Sequence, residues 1–150
     1  GRVKVEKGIF SLFKIFNKMT IDVGLSIVGN TEDLKINDKK INFFGFEDNV
    51  SELIKIYDNH NITILPSFTE AHPKVLDESL ARARPTIIFE EISHIIQNRY
   101  GVFVAKRNTK SLSDTIHFIM NNYVNIQENI KKNQLPTKQK FISQINQILN

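Results

Sequence analysis

Ile62-Thr63-Ile64-Leu65-Pro66-Ser67-Phe68-Thr69-Glu70-Ala71-His72-Pro73-Lys74-Val75-Leu76-Asp77-Glu78 is the stretch that decides the fold. Its first four residues are β-branched or apolar and run into a Pro-Ser turn, which reads as a short buried strand and its end. Pro73 suits the first turn of a helix, where its missing N–H costs nothing. From Val75 to Ala83 the apolar residues return at amphipathic spacing. The order is therefore strand, loop, helix. In an open parallel sheet the carboxyl ends of the strands are where ligands bind. Glu70 lies in such a loop, and Glu78 lies in the helix that follows it.

Working outward, the same alternation covers most of the chain. Residues 9–19 carry Ile9, Leu12, Phe13, Phe16 and Met19 at helical period. Residues 24–29 form a short apolar run between glycines and predict a buried strand. Residues 30–40 are polar and predict a loop, and 41–44 predict a second strand ended by Gly45. Asp48 is a candidate cap for a helix with Val50, Leu53, Ile54 and Tyr57 on its apolar face. Residues 86–89 and 101–104 predict two more strands, with a short helix over 91–97 between them. A helix follows over 109–122. Beyond Val124 the pattern is helical only, with a last amphipathic helix over 138–149. Strands alternating with helices at this spacing predict an α/β, Rossmann-like parallel sheet flanked by helices.

Composition narrows the function classes. The chain has 150 residues, enough for one domain with a core. It has no cysteine, so disulfides, thiolate metal sites and cysteine nucleophiles are excluded. No apolar run approaches the ~20 residues that span a bilayer. The net charge of +4 is spread along the chain, which favours a solvated surface over attraction to phosphate-bearing ligands or an anionic membrane, and no nucleic-acid-binding motif stands out. His60, His72, His94 and His117 do not fall at metal-ligand spacing. There is no Walker lysine loop, Gly-x-Gly-x-x-Gly or Gly-x-Ser-x-Gly. The chain opens on Gly1-Arg2-Val3 without methionine, so a fragment of a longer protein is expected.

Three segments remain for chemistry. Backbone N–H groups at the helix start, near Pro73 to Leu76, suit phosphate oxygens. Carboxylates such as Glu70 and Glu78 accept hydrogen bonds from hydroxyls. The opening segment Gly1 to Gly8 puts Arg2 and Lys7 on the same sheet edge, where two cations neutralise a developing anion. Gly45 at a strand end permits close backbone approach, and Phe46 beside it is a candidate for lining a base pocket.

In this order the segments resemble retaining glycosyltransferases of family 4, within the glycosyl transferases group 1. Gly1-Arg2 with Lys7-Gly8, Leu25 to Gly29, Ile41 to Gly45, Leu65-Pro66-Ser67 with Glu70, Pro73 and Glu78, and Gly101 to Val104 each look like a piece of that family's pattern. The resemblance implies that residues 1–150 are the C-terminal, nucleotide-sugar-binding half of a GT-B enzyme whose N-terminal acceptor half lies outside this chain. It implies sugar transfer from a UDP- or GDP-linked donor with retention, without a required metal or other cofactor. Arg2 and Lys7 would contact the diphosphate, with backbone from Val75 and Leu76. Glu70 would bind the transferred sugar, together with Ala71, His72, Pro73 and Lys74. Glu78 would bind the ribose and Phe46 would flank the base, with Gly45 beside it among the donor-binding residues. A cell-envelope glycan or lipid-linked acceptor, a cytoplasmic location and peripheral contact with the inner membrane face belong to the same set of expectations.

The chain departs from the family in three places. Arg84 stands where a helix-ending glycine is usual, Ser79 where alanine is usual, and Glu90-Glu91-Ile92-Ser93 where a glycine loop is usual. Two rival readings are a nucleotide-sugar 2-epimerase of the same architecture and a flavodoxin-like binding module without catalysis.

Overall fold

The computed structural model describes residues 5–30 and 39–137. Gly1, Arg2, most of the 30–40 loop and the predicted 138–149 helix lie outside the described residues. After a 3₁₀ turn at Val5–Lys7, the order is α1 (Ile9–Phe16), β1 (Leu25–Val28), β2 (Ile41–Gly45), α2 (Val50–Asp58) and β3 (Thr63–Leu65). Then come α3 (Lys74–Ala81), β4 (Thr86–Phe89), β5 (Val102–Ala105), α4 (Thr109–Asn121) and α5 (Tyr123–Ile130). Among the described residues, all strand pairs are parallel. The strands form two sheets, β1-β2 and β3-β4-β5. The fold is α/β and Rossmann-like, as the alternation of periods predicts.

β4 sits in the middle of the larger sheet, and all four of its residues are buried. A strand covered on both faces reads as a continuous apolar run, which Ile87-Ile88-Phe89 supplies. Leu76 and Leu80 of α3, Leu112 and Ile119 of α4, and Ile130 of α5 pack into the same core. The α1 side chains Leu12, Phe13 and Phe16 are buried in it too, as their spacing predicts, and Ile15 joins them. Burying each such side chain stabilises the fold by about 1.5–3 kcal/mol before chain entropy is counted.

Local details differ from the sequence reading at three points. First, α2 is capped by Asn49, not Asp48. The Asn49 side chain accepts from the backbone N–H of Ser51 at 2.9 Å and of Glu52 at 3.4 Å. Asx residues compete closely for this role, and the helix register decides between neighbours. Second, α2 has no fully buried residue, and Val50 of its predicted apolar face is exposed. Third, residues 90–96 form a 3₁₀ segment with a non-helical break at Ile92, in place of a short α-helix.

Arg84 does not take the strained conformation that the usual glycine would occupy. Ala83 takes it instead, with φ of 52°. The Ala83 N–H bonds to Leu80 O at 3.0 Å and the Arg84 N–H to Ser79 O at 2.9 Å. Those two bonds are the Schellman ending of α3. Arg84 is then free to donate to Asp58 O at 2.9 Å and to the Tyr123 hydroxyl at 3.0 Å. A left-handed alanine costs about 1 kcal/mol relative to glycine. Ala83→Gly is therefore expected to stabilise the chain by about 0.5–1 kcal/mol, raising Tm by about 1–4 °C. A thermal melt checks this.

Ser79 is fully buried and its hydroxyl is not wasted. It lies 2.7 Å from the Thr63 hydroxyl and 3.0 Å from both Arg84 O and the Thr86 hydroxyl. This small polar cluster ties α3 to β3 and β4.

Candidate functional site

The site begins where β3 ends. Pro66-Ser67 turns the chain, and residues 66–73 run along the carboxyl edge of the sheet to α3. Ser67 is buried, and its hydroxyl donates to Glu70 Oε1 at 2.7 Å. Lys7 Nζ donates to the same oxygen at 2.6 Å. The Glu70 side chain is 12% exposed and that of Lys7 41%, so the carboxylate is the buried member. A charge held this far from water needs a partner and hydrogen bonds, and Glu70 has both. His94 Nε2 lies 2.8 Å from the Glu70 backbone oxygen, a geometry in which that nitrogen carries the proton.

The amino-terminal turn is fastened to this loop. The Phe68 N–H bonds to Glu6 O at 2.9 Å. Gly8 has φ of 67°, and a Cβ there would stand 1.8 Å from Pro66 O. Only glycine combines that conformation with that approach. Lys7, one residue earlier, thereby reaches Glu70 across the gap between two segments far apart in sequence.

A cavity of about 420 Å³ opens here. Lys7, Ser67, Glu70, His72 and Lys74 supply its polar lining, and Val75, β1 and the end of β3 supply its apolar walls. The cavity runs along β1 and β3, which belong to different sheets. α3 points its first turn at the cavity. The N–H groups of Lys74 and Val75 have no carbonyl four residues back inside the helix, so they and the helix dipole favour an anion. Leu76 differs, because its N–H bonds to Pro73 O at 3.1 Å and its side chain is core.

The structure thus brings together Lys7, Glu70, His72, Pro73, Lys74 and Val75 around one cavity. It places Glu78 elsewhere. Glu78 is exposed on α3, is not among the residues lining that cavity, and accepts from the Tyr57 hydroxyl of α2 at 3.1 Å. Burial first, then the charge and hydrogen bond of Glu78, push the Tyr57 phenol well above its ordinary range. Gly45 ends β2 with φ of 71° and open space beside its Cα, and Phe46 is 74% exposed. Neither lines the cavity, nor does Ala71. His72 Nε2 lies 3.0 Å from Asp77 Oδ2, and Arg99 makes an ion-pair contact with Asp77 Oδ1 at 3.2 Å. Arg2 is outside the described residues. Among the described residues, no group of three or more His, Asp or Glu is arranged to hold a metal ion.

Sequence reasoning missed Arg107. It donates from Nε to Glu91 Oε1 at 2.8 Å and from one terminal nitrogen to Glu91 Oε2 at 3.1 Å. It also donates to Pro66 O at 3.0 Å and Ser67 O at 3.2 Å. Phe68 and Phe89 lie against the guanidinium, with ring centroids 4.0 and 4.2 Å from its carbon. One signal was available. Parallel strands end at one edge, and Phe89 pairs with Ala105. Glu91 and Arg107 each lie two residues past that pair.

Hydrogen bonds from Arg107 hold the Glu91 carboxyl below its ordinary range against the opposing effect of partial burial. A depressed carboxyl stabilises the fold above its unfolded pKa, near ~4.3, and loses that contribution as pH falls through the folded value. Chemical denaturation at several pH values is therefore expected to show wild type ahead of Glu91→Gln at pH 7. The margin closes below about pH 4.

No helix among the described residues is long and apolar enough to cross a membrane. The family pattern of "Glycosyl transferases group 1" matches residues 1–137. The capsular polysaccharide biosynthesis glycosyltransferase CapM of Staphylococcus aureus is 27% identical over 159 aligned residues, covering 97% of this chain and 42% of that protein. Sucrose-phosphate synthase from Thermosynechococcus elongatus superposes with a TM-score of 0.74 at 18% identity, over 99% of this chain and 43% of that one. HepE from Anabaena in complex with UDP-glucose gives 0.67 at 15% identity, over 87% of this chain and 41% of that one. At such identities the structural likeness speaks for the shared fold alone. The chain spans about two-fifths of the length of each of these proteins.

Proposed function

Because this chain belongs to the glycosyl transferases group 1 family, we propose that it is the donor-binding half of a retaining, family-4 type GT-B glycosyltransferase. The cavity beside Lys7, Glu70 and the start of α3 receives a nucleoside-diphosphate sugar. Lys7, with Arg2 as a second cation, and the N–H groups of Lys74 and Val75 hold the diphosphate. The Glu70 carboxylate accepts from hydroxyls of the sugar, with Ala71, His72 and Pro73 beside it. As the bond between the anomeric carbon and the phosphate oxygen breaks, negative charge grows on the departing diphosphate. A cation and a helix start fixed in place beforehand stabilise that charge more than they stabilise the ground state.

Glu78, held by the Tyr57 hydroxyl, takes the ribose and Phe46 flanks the base, both where the nucleoside extends beyond the cavity, and Gly45 permits close backbone approach there. UDP is the favoured nucleotide, since HepE is known in complex with UDP and UDP-glucose, and GDP is the second choice. A capsular or other cell-envelope glycan is the acceptor class suggested by CapM. The acceptor site lies in the remaining half of the protein, so residues 1–150 alone bind donor and transfer no sugar. The reaction needs no metal, and the enzyme works in the cytoplasm, at the inner membrane face when its acceptor is lipid-linked.

The observation that carries this reading is the Lys7–Glu70 pair at the mouth of the cavity, next to an α-helix start. A thermal-shift panel of uridine, guanosine and adenosine diphosphates tests it. A ligand that binds only the folded chain raises Tm by mass action. A shift with UDP or GDP supports the proposal, and no shift with any of the three at millimolar concentration counts against it.

A further inference from the structure

We propose that Arg107, with Glu91 as its counter-charge, is a positioning residue that locks the Pro66–Glu70 loop so that the Glu70 carboxylate faces the transferred sugar. The inference rests on the donor-site reading above and extends it to residues that line no part of the cavity.

The argument starts from the loop's own needs. Pro66 and Ser67 end a strand, so their carbonyls have left the sheet ladder, and Ser67 is 1% exposed. Carbonyls removed from water need donors. Arg107 supplies both, at 3.0 and 3.2 Å. Its guanidinium is planar, and the rings of Phe68 and Phe89 lie close against it. Its charge is met by a two-pronged contact with Glu91 at 2.8 and 3.1 Å. Its side chain is 14% exposed and that of Glu91 37%, so solvent partly screens the ion pair, and the two carbonyls and two rings fix the guanidinium from the other sides.

The lock reaches the site through Ser67. Arg107 holds the Ser67 backbone oxygen, and the Ser67 hydroxyl donates to Glu70 Oε1. The loop position in turn sets the distance from Lys7 to Glu70. Glu91 lies in the 3₁₀ segment that follows β4 and Arg107 in the loop that follows β5, so three adjacent strand ends of one sheet are tied by a single side chain. Glu91 occupies the segment where the family pattern has a glycine loop, and the ion pair gives that substituted segment a role. Lysine cannot replace Arg107, because an ammonium has neither the fork nor the flat face.

The test compares Arg107→Lys and Glu91→Gln with wild type in two readouts. The first is hydrogen exchange of the Phe68 amide, which bonds to Glu6 O, with the Ile87 and Ile88 amides of β4 as reporters of global stability. The second is the ratio of UDP-glucose to UDP affinity by calorimetry, which isolates the sugar-facing contact from the diphosphate contact. The lock predicts that Phe68 exchange rises about tenfold or more beyond whatever rise the β4 amides show from lost global stability, and that the affinity ratio falls about tenfold, the size of one charge-assisted contact. UDP affinity itself stays within about twofold. Glu91→Gln keeps the arginine, and so answers the question if Arg107→Lys folds poorly. Unchanged Phe68 exchange in both variants overturns the lock. Faster exchange with an unchanged affinity ratio overturns its positioning role. Faster exchange in a chain that binds neither nucleotide removes the donor site, and the positioning role with it.

Discussion

Gly8→Ala is expected to destabilise the chain by about 3–5 kcal/mol and to abolish the close fit of the amino-terminal turn against the Pro66 loop. Two effects add. The residue sits at φ of 67°, where an L side chain costs about 1–2 kcal/mol. Its new methyl group would lie 1.8 Å from Pro66 O and 2.8 Å from Pro66 C, with the Arg107 guanidinium nitrogen 3.2 Å away. The near atoms are backbone, which cannot rotate aside. Either the loop or the turn must move, and the Phe68 to Glu6 bond and the Lys7 to Glu70 pair span that boundary. Tm is expected to fall by about 10 °C, at about 2–4 °C per kcal/mol for a chain of this size. A melt within 2 °C of wild type would show that the approach is looser than its geometry.

Lys7→Ala is expected to have the largest effect on chemistry. Removing the ammonium leaves the Glu70 carboxylate with the Ser67 hydroxyl and a mostly buried position. An unpaired carboxylate of this kind repels a diphosphate instead of sharing a cation with it. Losing one charge-assisted contact weakens nucleoside-diphosphate binding by about 10–100-fold. In the protein that carries both halves, kcat falls by about 10²–10³, the usual consequence of removing one fixed group that stabilises developing charge. Lys7→Arg keeps the charge and restores part of both. A loss of binding that Lys7→Arg does not relieve at all would assign Lys7 a packing role.

The elements with a clean period were legible from the residues alone. Ile87-Ile88-Phe89 reads as a central strand because a strand covered on both faces has no polar side. The Ile62-to-Glu78 stretch gave the site edge for the same reason, since an apolar run, a Pro-Ser turn and a proline before a helix leave one arrangement. The presence of a helix ending near Arg84 was legible, but which residue would turn left-handed was not. That choice depends on which carbonyls the last turn can reach, and it fell on Ala83.

Arg107 and Tyr57 were invisible for a different reason. Their roles lie in contacts across 40 and 21 positions of sequence, which no periodicity records. Glu78 shows the limit most plainly. Its spacing from Glu70 is a matter of sequence, yet the helix turns it toward α2 while Glu70 faces Lys7. The eight-residue spacing fixes that they share a strand-loop-helix unit, and the rotation of α3 fixes what each one touches.

The central claim is that the cavity between Lys7, Glu70 and the start of α3 is where a nucleotide sugar binds. Amide chemical-shift mapping during a UDP-glucose titration tests it most directly. The account predicts saturable shifts at Lys7, Gly8, Ser67, Glu70, His72, Lys74 and Val75, with α4 and α5 silent. Saturable shifts confined to α4, α5 or the β5 edge, or none at all at millimolar ligand, would contradict it.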